Sequence, residues 1–189
     1  YMEALDYQKK ALDIQRKNLP ADHPELIGTF NHLGRIYNQL GEYGQALEYI
    51  MMAMNIGEKI LPPNHLDLAS SYRNLANTYS SLGDHRKALD YSLKALEIYE
   101  IVFSPNHLNT ATAYADIGFI YGDLGDYSKA LAYLKRAFSI FEAVLPEGDP
   151  TIEDTIEGIK KYIWMQRIIE DRERLSNPNP ASYSFDSSD

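Results

Sequence analysis

Three histidines, His23, His65 and His107, stand 42 residues apart, and imidazole is the side chain that most often holds zinc. A metal needs its ligands to converge within roughly 2 Å of one point. One histidine per structural unit places the three in a line, a helix width or more apart, so convergence fails and no metal site is expected. Their positions, just ahead of helical segments, suit a capping role instead. Asp84 beside His85, and Ser70-Ser71 not far from His65, raise acid–base or nucleophilic chemistry. Neither set has a glycine-rich loop, a nucleophile elbow or a third orienting group. With no cysteine in the chain, a thiol nucleophile, a thiolate metal site and a disulfide are all excluded. The expectation is a protein that is not an enzyme and takes no cofactor.

The elements that carry these residues follow from self-comparison at the same interval. Tyr37, Tyr79 and Tyr121 align, as do Leu40, Leu82 and Leu124, and Gly41, Gly83 and Gly125. The register continues through Ala46, Ala88 and Ala130, through Tyr49, Tyr91 and Tyr133, and through Ala53, Ala95 and Ala137. Tyr1, Ala4, Leu5, Tyr7, Ala11 and Ile14 precede Tyr43, Ala46, Leu47, Tyr49, Ala53 and Ile56 in the same frame. Each unit reads as two helices. Leu26, Phe30, Leu33, Tyr37 and Leu40 lie three or four residues apart, one apolar stripe on a helix A. Glycine then ends that helix in the left-handed conformation. Helix B presents Ala46, Leu47, Ile50, Ala53 and Met54. Small residues here, and Gly34, Ala76 and Gly118 on helix A, allow axes to approach to roughly 8 Å. The 15 tyrosines fall mostly on this frame and are read as core.

Proline-bearing linkers separate the units: Leu19 to Pro24, Leu61 to His65, Ser104 to His107 and Leu145 to Pro150. Proline stops helix B, and Asp22, Asn64 or Asn106 is expected to cap the next helix A. The predicted layout is an orphan helix over 1–17 and hairpins over about 24–61, 66–103 and 108–145. A capping helix follows over about 150–175, facing the array with Ile152, Ile156, Ile159, Ile163 and Trp164. The predicted fold class is all-α, a right-handed α-solenoid closed by that helix. The array spans 1–175, and 176–189 is an irregular tail rich in Ser, Asn and Pro.

The net charge of −9 argues against nucleic acid as a partner. The apolar stretches, such as Ile50 to Met54, are too short for membrane insertion. Tyr1 opens the sequence inside a helix B frame, with no leader pattern, so a fragment of a longer, cytoplasmic protein is expected.

Leu33-Gly34, Tyr37, Gly41, Tyr43, Ala46 and Ala53 stand at signature spacings, and the chain resembles the tetratricopeptide repeat family. The 42-residue period and Asp22-His23-Pro24 are similar to the repeats of kinesin light chains, a variant also attached to signalling enzymes such as ADP-ribosyltransferases and NTPases. The resemblance implies an adaptor or scaffold that binds a peptide in a concave groove, using Asn and basic side chains of helix A. Asn31 and Asn74 match positions where that family often has Asn. Gln39, Ser81 and Asp123 stand where its residues are often basic.

Residues of helix A outside the apolar stripe are the expected peptide contacts: Asn31, Arg35, Asn38 and Gln39, then Arg73, Asn74, Asn77, Ser80 and Ser81. The third unit offers Ala115, Phe119, Gly122 and Asp123, with Phe119 either an aromatic anchor or core. Amides can bond a peptide backbone and arginine can fork onto a carboxylate. Arg35 and Arg73 opposite Asp116 and Asp123 predict a groove polarised along its length. The alternatives are a regulatory or targeting fragment of a larger signalling enzyme, and an array that self-associates through exposed ends. Tyr183-Ser184-Phe185-Asp186 in the tail resembles an aromatic-acidic ligand of such a groove.

Overall fold

A computed structural model describes residues 2–176. It contains eight helices among the described residues: α1 (Met2–Asn18), α2 (Glu25–Gln39), α3 (Tyr43–Ile60), α4 (Leu66–Ser81), α5 (His85–Val102), α6 (Leu108–Asp123), α7 (Tyr127–Val144) and α8 (Pro150–Ser176). The described residues contain no strand, in keeping with the solenoid expected from the sequence. The tail motif at 183–186 lies outside the described residues.

Helices pack in chain order. α2 and α3, α4 and α5, and α6 and α7 form the three antiparallel pairs, with α1 against α2 and α8 against α7. Each A-to-B turn closes in the same way. Gly41, Gly83 and Gly125 have φ of 78, 78 and 82°. In the first turn Gly41 N–H donates to the Asn38 carbonyl at 3.0 Å and Glu42 N–H to the Tyr37 carbonyl at 2.9 Å. The pairs Gly83–Ser80 with Asp84–Tyr79, and Gly125–Gly122 with Asp126–Tyr121, repeat that double bond. This is the glycine-terminated arrangement that satisfies carbonyls left over at a helix end. Gly83→Val should therefore lower stability by about 2 kcal/mol, because a β-branched residue resists positive φ. A melting temperature within a degree of wild type would show that the turn does not hold position 83 there.

The linkers correct one expectation. Asp22, Asn64 and Asn106 do not cap. The cap is the residue after each of them, His23, His65 or His107, whose Nδ1 accepts from the backbone N–H of Glu25, Asp67 or Asn109 at 3.3, 3.1 and 3.1 Å. Asp149 takes the same position in the fourth linker and accepts from Thr151 N–H at 2.8 Å. Imidazole nitrogen and carboxylate exchange freely there because only an acceptor is required. Asp22 is engaged elsewhere, with Lys59 at 2.9 Å.

Two buried apolar clusters run along the array, one centred on α2 and α3 and the other on α5 to α7. The first contains Ala46 and Ala53 and the second Ala95, Ala130 and Ala137, all 1% exposed or less. The tyrosines pair across each hairpin as stacked rings: Tyr37 with Tyr49 at 5.5 Å, Tyr79 with Tyr91 at 5.7 Å, and Tyr121 with Tyr133 at 5.5 Å. α8 packs as a fourth helix A, with Thr155, Gly158 and Tyr162 buried and Ile152, Ile159 and Ile163 half-buried. Trp164 departs from the expected orientation. It is 62% exposed, because the helix turns that position away from α7, with Tyr162 on the packed side.

Candidate protein-binding face

Contact between helices of the same type runs along the A helices, from α2 to α4 and from α6 to α8, and no pair of B helices approaches as closely. An array tighter on one side curves toward that side, so the A helices line the inner face. Asn31, Arg35 and Asn38 of α2 and Arg73 and Asn74 of α4 stand where these two A helices meet.

Much of this polar face bonds to itself. Asn31 Nδ2 donates to Ser71 Oγ at 2.8 Å, and Asn74 Nδ2 donates to Asn31 Oδ1 at 3.3 Å. Asn38 Nδ2 donates to Thr78 Oγ1 at 2.8 Å. Ser71 and Thr78 pass their own protons back to the carbonyls of Asp67 and Asn74. Two amides on α2 thus reach across to a hydroxyl on α4, which removes a polar group from water without leaving it unpaired. Asn31 is 6% exposed. It is a joint between repeats with both ends of its amide engaged, while Asn38, half-buried, commits one N–H to the same kind of joint.

Arg73 is likewise engaged. Its Nε lies 3.0 Å from Asp116 Oδ2 on α6. Burial pushes the Asp116 carboxyl up and the Arg73 guanidinium opposes that shift. The expected polarity, arginines at one end and aspartates at the other, is therefore partly neutralised across the α4–α6 junction. The third unit differs further. Ala115 and Gly122 are buried, and a Cβ on Gly122 would run into the Tyr162 ring. Phe119 lies against Gly158, whose added Cβ would come within 2.7 Å of its ring, and tilts against Tyr162 at 6.5 Å. Its ring serves the seam between α6 and α8; of the two readings of Phe119, core fits this placement. Asp123 is exposed, 3.7 Å from His85 Nδ1.

Between α2 and α4 the face sinks into a polar pocket of about 220 Å³. Asn31, Arg35, Arg73 and Asn74 line it, together with Gly28, His32, Asp67, Ser70 and Tyr99. Four of the expected residues meet here. Asn38, Gln39, Asn77, Ser80, Ser81, Phe119 and Asp123 lie outside its wall. Gln39 and Asn77 are exposed, Ser80 is half-buried, and Ser81 returns its proton to the Asn77 carbonyl at 3.0 Å. His32 and Ser70 were missed, although both sit beside predicted contacts on the helical wheel, three positions before Arg35 and Arg73. Tyr99 was unreadable, because it reaches the pocket floor from helix α5. Burial drives its phenol upward. Among the described residues Arg35 is exposed and makes no ion pair.

A tetratricopeptide repeat model matches residues 1–59, 25–101 and 67–143 in overlapping copies. The chain belongs to the tetratricopeptide repeat family. The nearly identical TPR-like repeats attributed to a Podosopora anserina kinesin light chain superpose with a TM-score of 0.74 at 19% identity, covering 93% of this chain and 83% of that one. BtubC (BKLC) from P. vanneervenii gives 0.74 at 22% identity over 92% of this chain and 76% of that one. RapI gives 0.75 at 18% identity over 93% and 64%. At these identities the likeness is one of fold. No protein of curated function matches this chain in sequence. Tetratricopeptide repeats are typically non-catalytic scaffolds for protein partners. Among the described residues no helix is long and apolar enough to cross a membrane.

Proposed function

We propose that this array is an adaptor that holds an extended segment of a partner protein along the inner face of its A helices, with an acidic group of that segment at Arg35. The observation that carries the reading is the α2–α4 pocket. Its amides are braced by bonds between repeats, so the wall is preorganised, and Arg35 stands at it with a guanidinium fork that makes no ion pair among the described residues. Preorganised polar walls lose little on binding, and a planar fork selects a carboxylate by two parallel bonds. Arg73, with its Nε committed to Asp116, also lines this pocket. Asn77 and Gln39, exposed along the same face, extend the track beyond the pocket.

The test begins with selection of binders from a random peptide display library against the full chain. Arg35→Glu should weaken the selected peptides at least tenfold and flatten the salt dependence of binding. Asn77→Ala should weaken them less. Charge reversal at Arg73 is a poor probe, since it would also strand Asp116. A selection in which no peptide distinguishes Arg35→Glu from wild type would overturn the proposal.

A further inference from the structure

The opposite side of the array carries a crevice between consecutive B helices, floored by helix A, and in two units the same set of side chains stands in it. In the second unit Tyr72 donates its hydroxyl to Glu58 at 2.9 Å, and Lys94 Nζ lies 5.4 Å from the Tyr72 ring centre. In the third, Tyr114 donates to Glu100, and the Arg136 guanidinium lies 4.3 Å over the ring and 3.9 Å from Glu100. Acid, phenol and cation satisfy one another. Burial and the neighbouring glutamate push both phenols up to about 12.

The first unit breaks this pattern at all three positions together. Arg16 stands in the frame of Glu58 and Glu100, Phe30 in that of the tyrosines, and Met52 in that of Lys94 and Arg136. Phe30 has no hydroxyl to give, and the acid that would accept it has become a cation. The crevice here is a hollow of about 590 Å³, with Leu26, Phe30 and Ile56 at its floor, Met52 in its wall, and Arg16 and Asn55 at its exposed rim. Arg16 lies 5.9 Å from the Phe30 ring centre and has no carboxylate within pairing distance among the described residues. The third unit keeps a hollow of about 480 Å³ beside its own set, lined by Glu97 and Glu100 as well as Arg136, so its one cation is already opposed by two carboxylates.

We infer that this first crevice is a second binding site, on the face away from the α2–α4 pocket, for a large apolar side chain, aromatic or branched aliphatic, carried beside a carboxylate on a partner protein. The floor supplies buried apolar surface, the unbranched Met52 adapts to the guest, and Arg16 pairs with the acid. The apolar character selects the side chain and the unpaired cation selects its neighbour. The site does not depend on the inner face, and Arg35→Glu should leave it unchanged.

The probe is 3-phenylpropionate, titrated into the full chain with 13C-labelled methyls on Met52 and Ile56 followed by NMR. Saturable shifts at both methyls are expected in the millimolar range, with 3-phenylpropanamide and propionate each binding several-fold more weakly. Arg16→Gln should remove the preference for the acid over the amide while leaving the amide's affinity in place. The triple variant R16E/F30Y/M52K installs the side chains of the second unit and should reduce binding at least tenfold. Methyl signals from α4 to α7 identical to wild type would confirm its fold. Equal affinity for acid and amide in the wild type, unchanged selectivity in Arg16→Gln, or shifts confined to residues away from Met52 and Ile56 would overturn the site.

Discussion

Gly122→Val should unseat α8 from the array. A Cβ at position 122 would be built inside the Tyr162 ring, against its Cζ and Oη. Tyr162 is 3% exposed, stacked on Tyr127 at 5.7 Å and tilted against Phe119 at 6.5 Å. The ring is packed against Tyr127 and Phe119, so relieving the clash must displace it from that packing and with it the seat of α8. Overpacking alone costs about 1–3 kcal/mol, and loss of the buried phenol from its socket adds a term comparable to removing a large aromatic, about 3 kcal/mol. In a stacked array each unit touches only its neighbours, so the damage should stay local. Amide exchange over 150–176 should accelerate while the first two hairpins remain protected. Wild-type protection across α8 would show that Tyr162 does not occupy that socket.

The second large effect concerns how each hairpin closes on itself. Gly34 meets the Ile50 side chain, with Cδ1 at 2.9 Å from a built Cβ, and Gly118 meets Leu134 Cγ at 2.8 Å. In the middle hairpin the same two positions hold Ala76 and Ser92, both buried. The helix A residue gains a methyl where the helix B residue loses its branched chain, so the smaller helix B side chain leaves room for that methyl. Gly34→Ala alone should therefore cost about 2 kcal/mol, against the several tenths to one that alanine normally gains over glycine in a helix. Ile50→Ala alone should cost about 3 kcal/mol through the cavity it leaves. The double variant should be more stable than the sum of the two losses by about 1 kcal/mol or more, read from denaturant unfolding. Strict additivity would mean that the two positions do not share one space.

Period, hairpin count and turn chemistry are local properties, and the sequence by itself determined them. A 3.6-residue apolar stripe can be buried by a helix alone, and a glycine at the end of that stripe has one conformation that closes the turn. Repetition at 42 residues then forces neighbouring units to present the same faces to each other. The histidines were readable as caps for the same reason, since a cap is a bond over two residues, although the sequence pointed equally to Asp22, Asn64 and Asn106. What crosses from one unit to the next was decided only by the tertiary structure. Asn31 and Asn38 look like free amides on a solvated face until α4 is placed 2.8 Å from each. Arg73 looks like a free cation until Asp116, 43 residues on, is brought to it. Phe119 keeps the same helical position as the exposed Arg35 and Asn77, yet it is covered because α8 brings Gly158 and Tyr162 over it. A helical wheel assigns a residue to a face, and the distance to the adjoining helix assigns that face to water, to a partner or to the core.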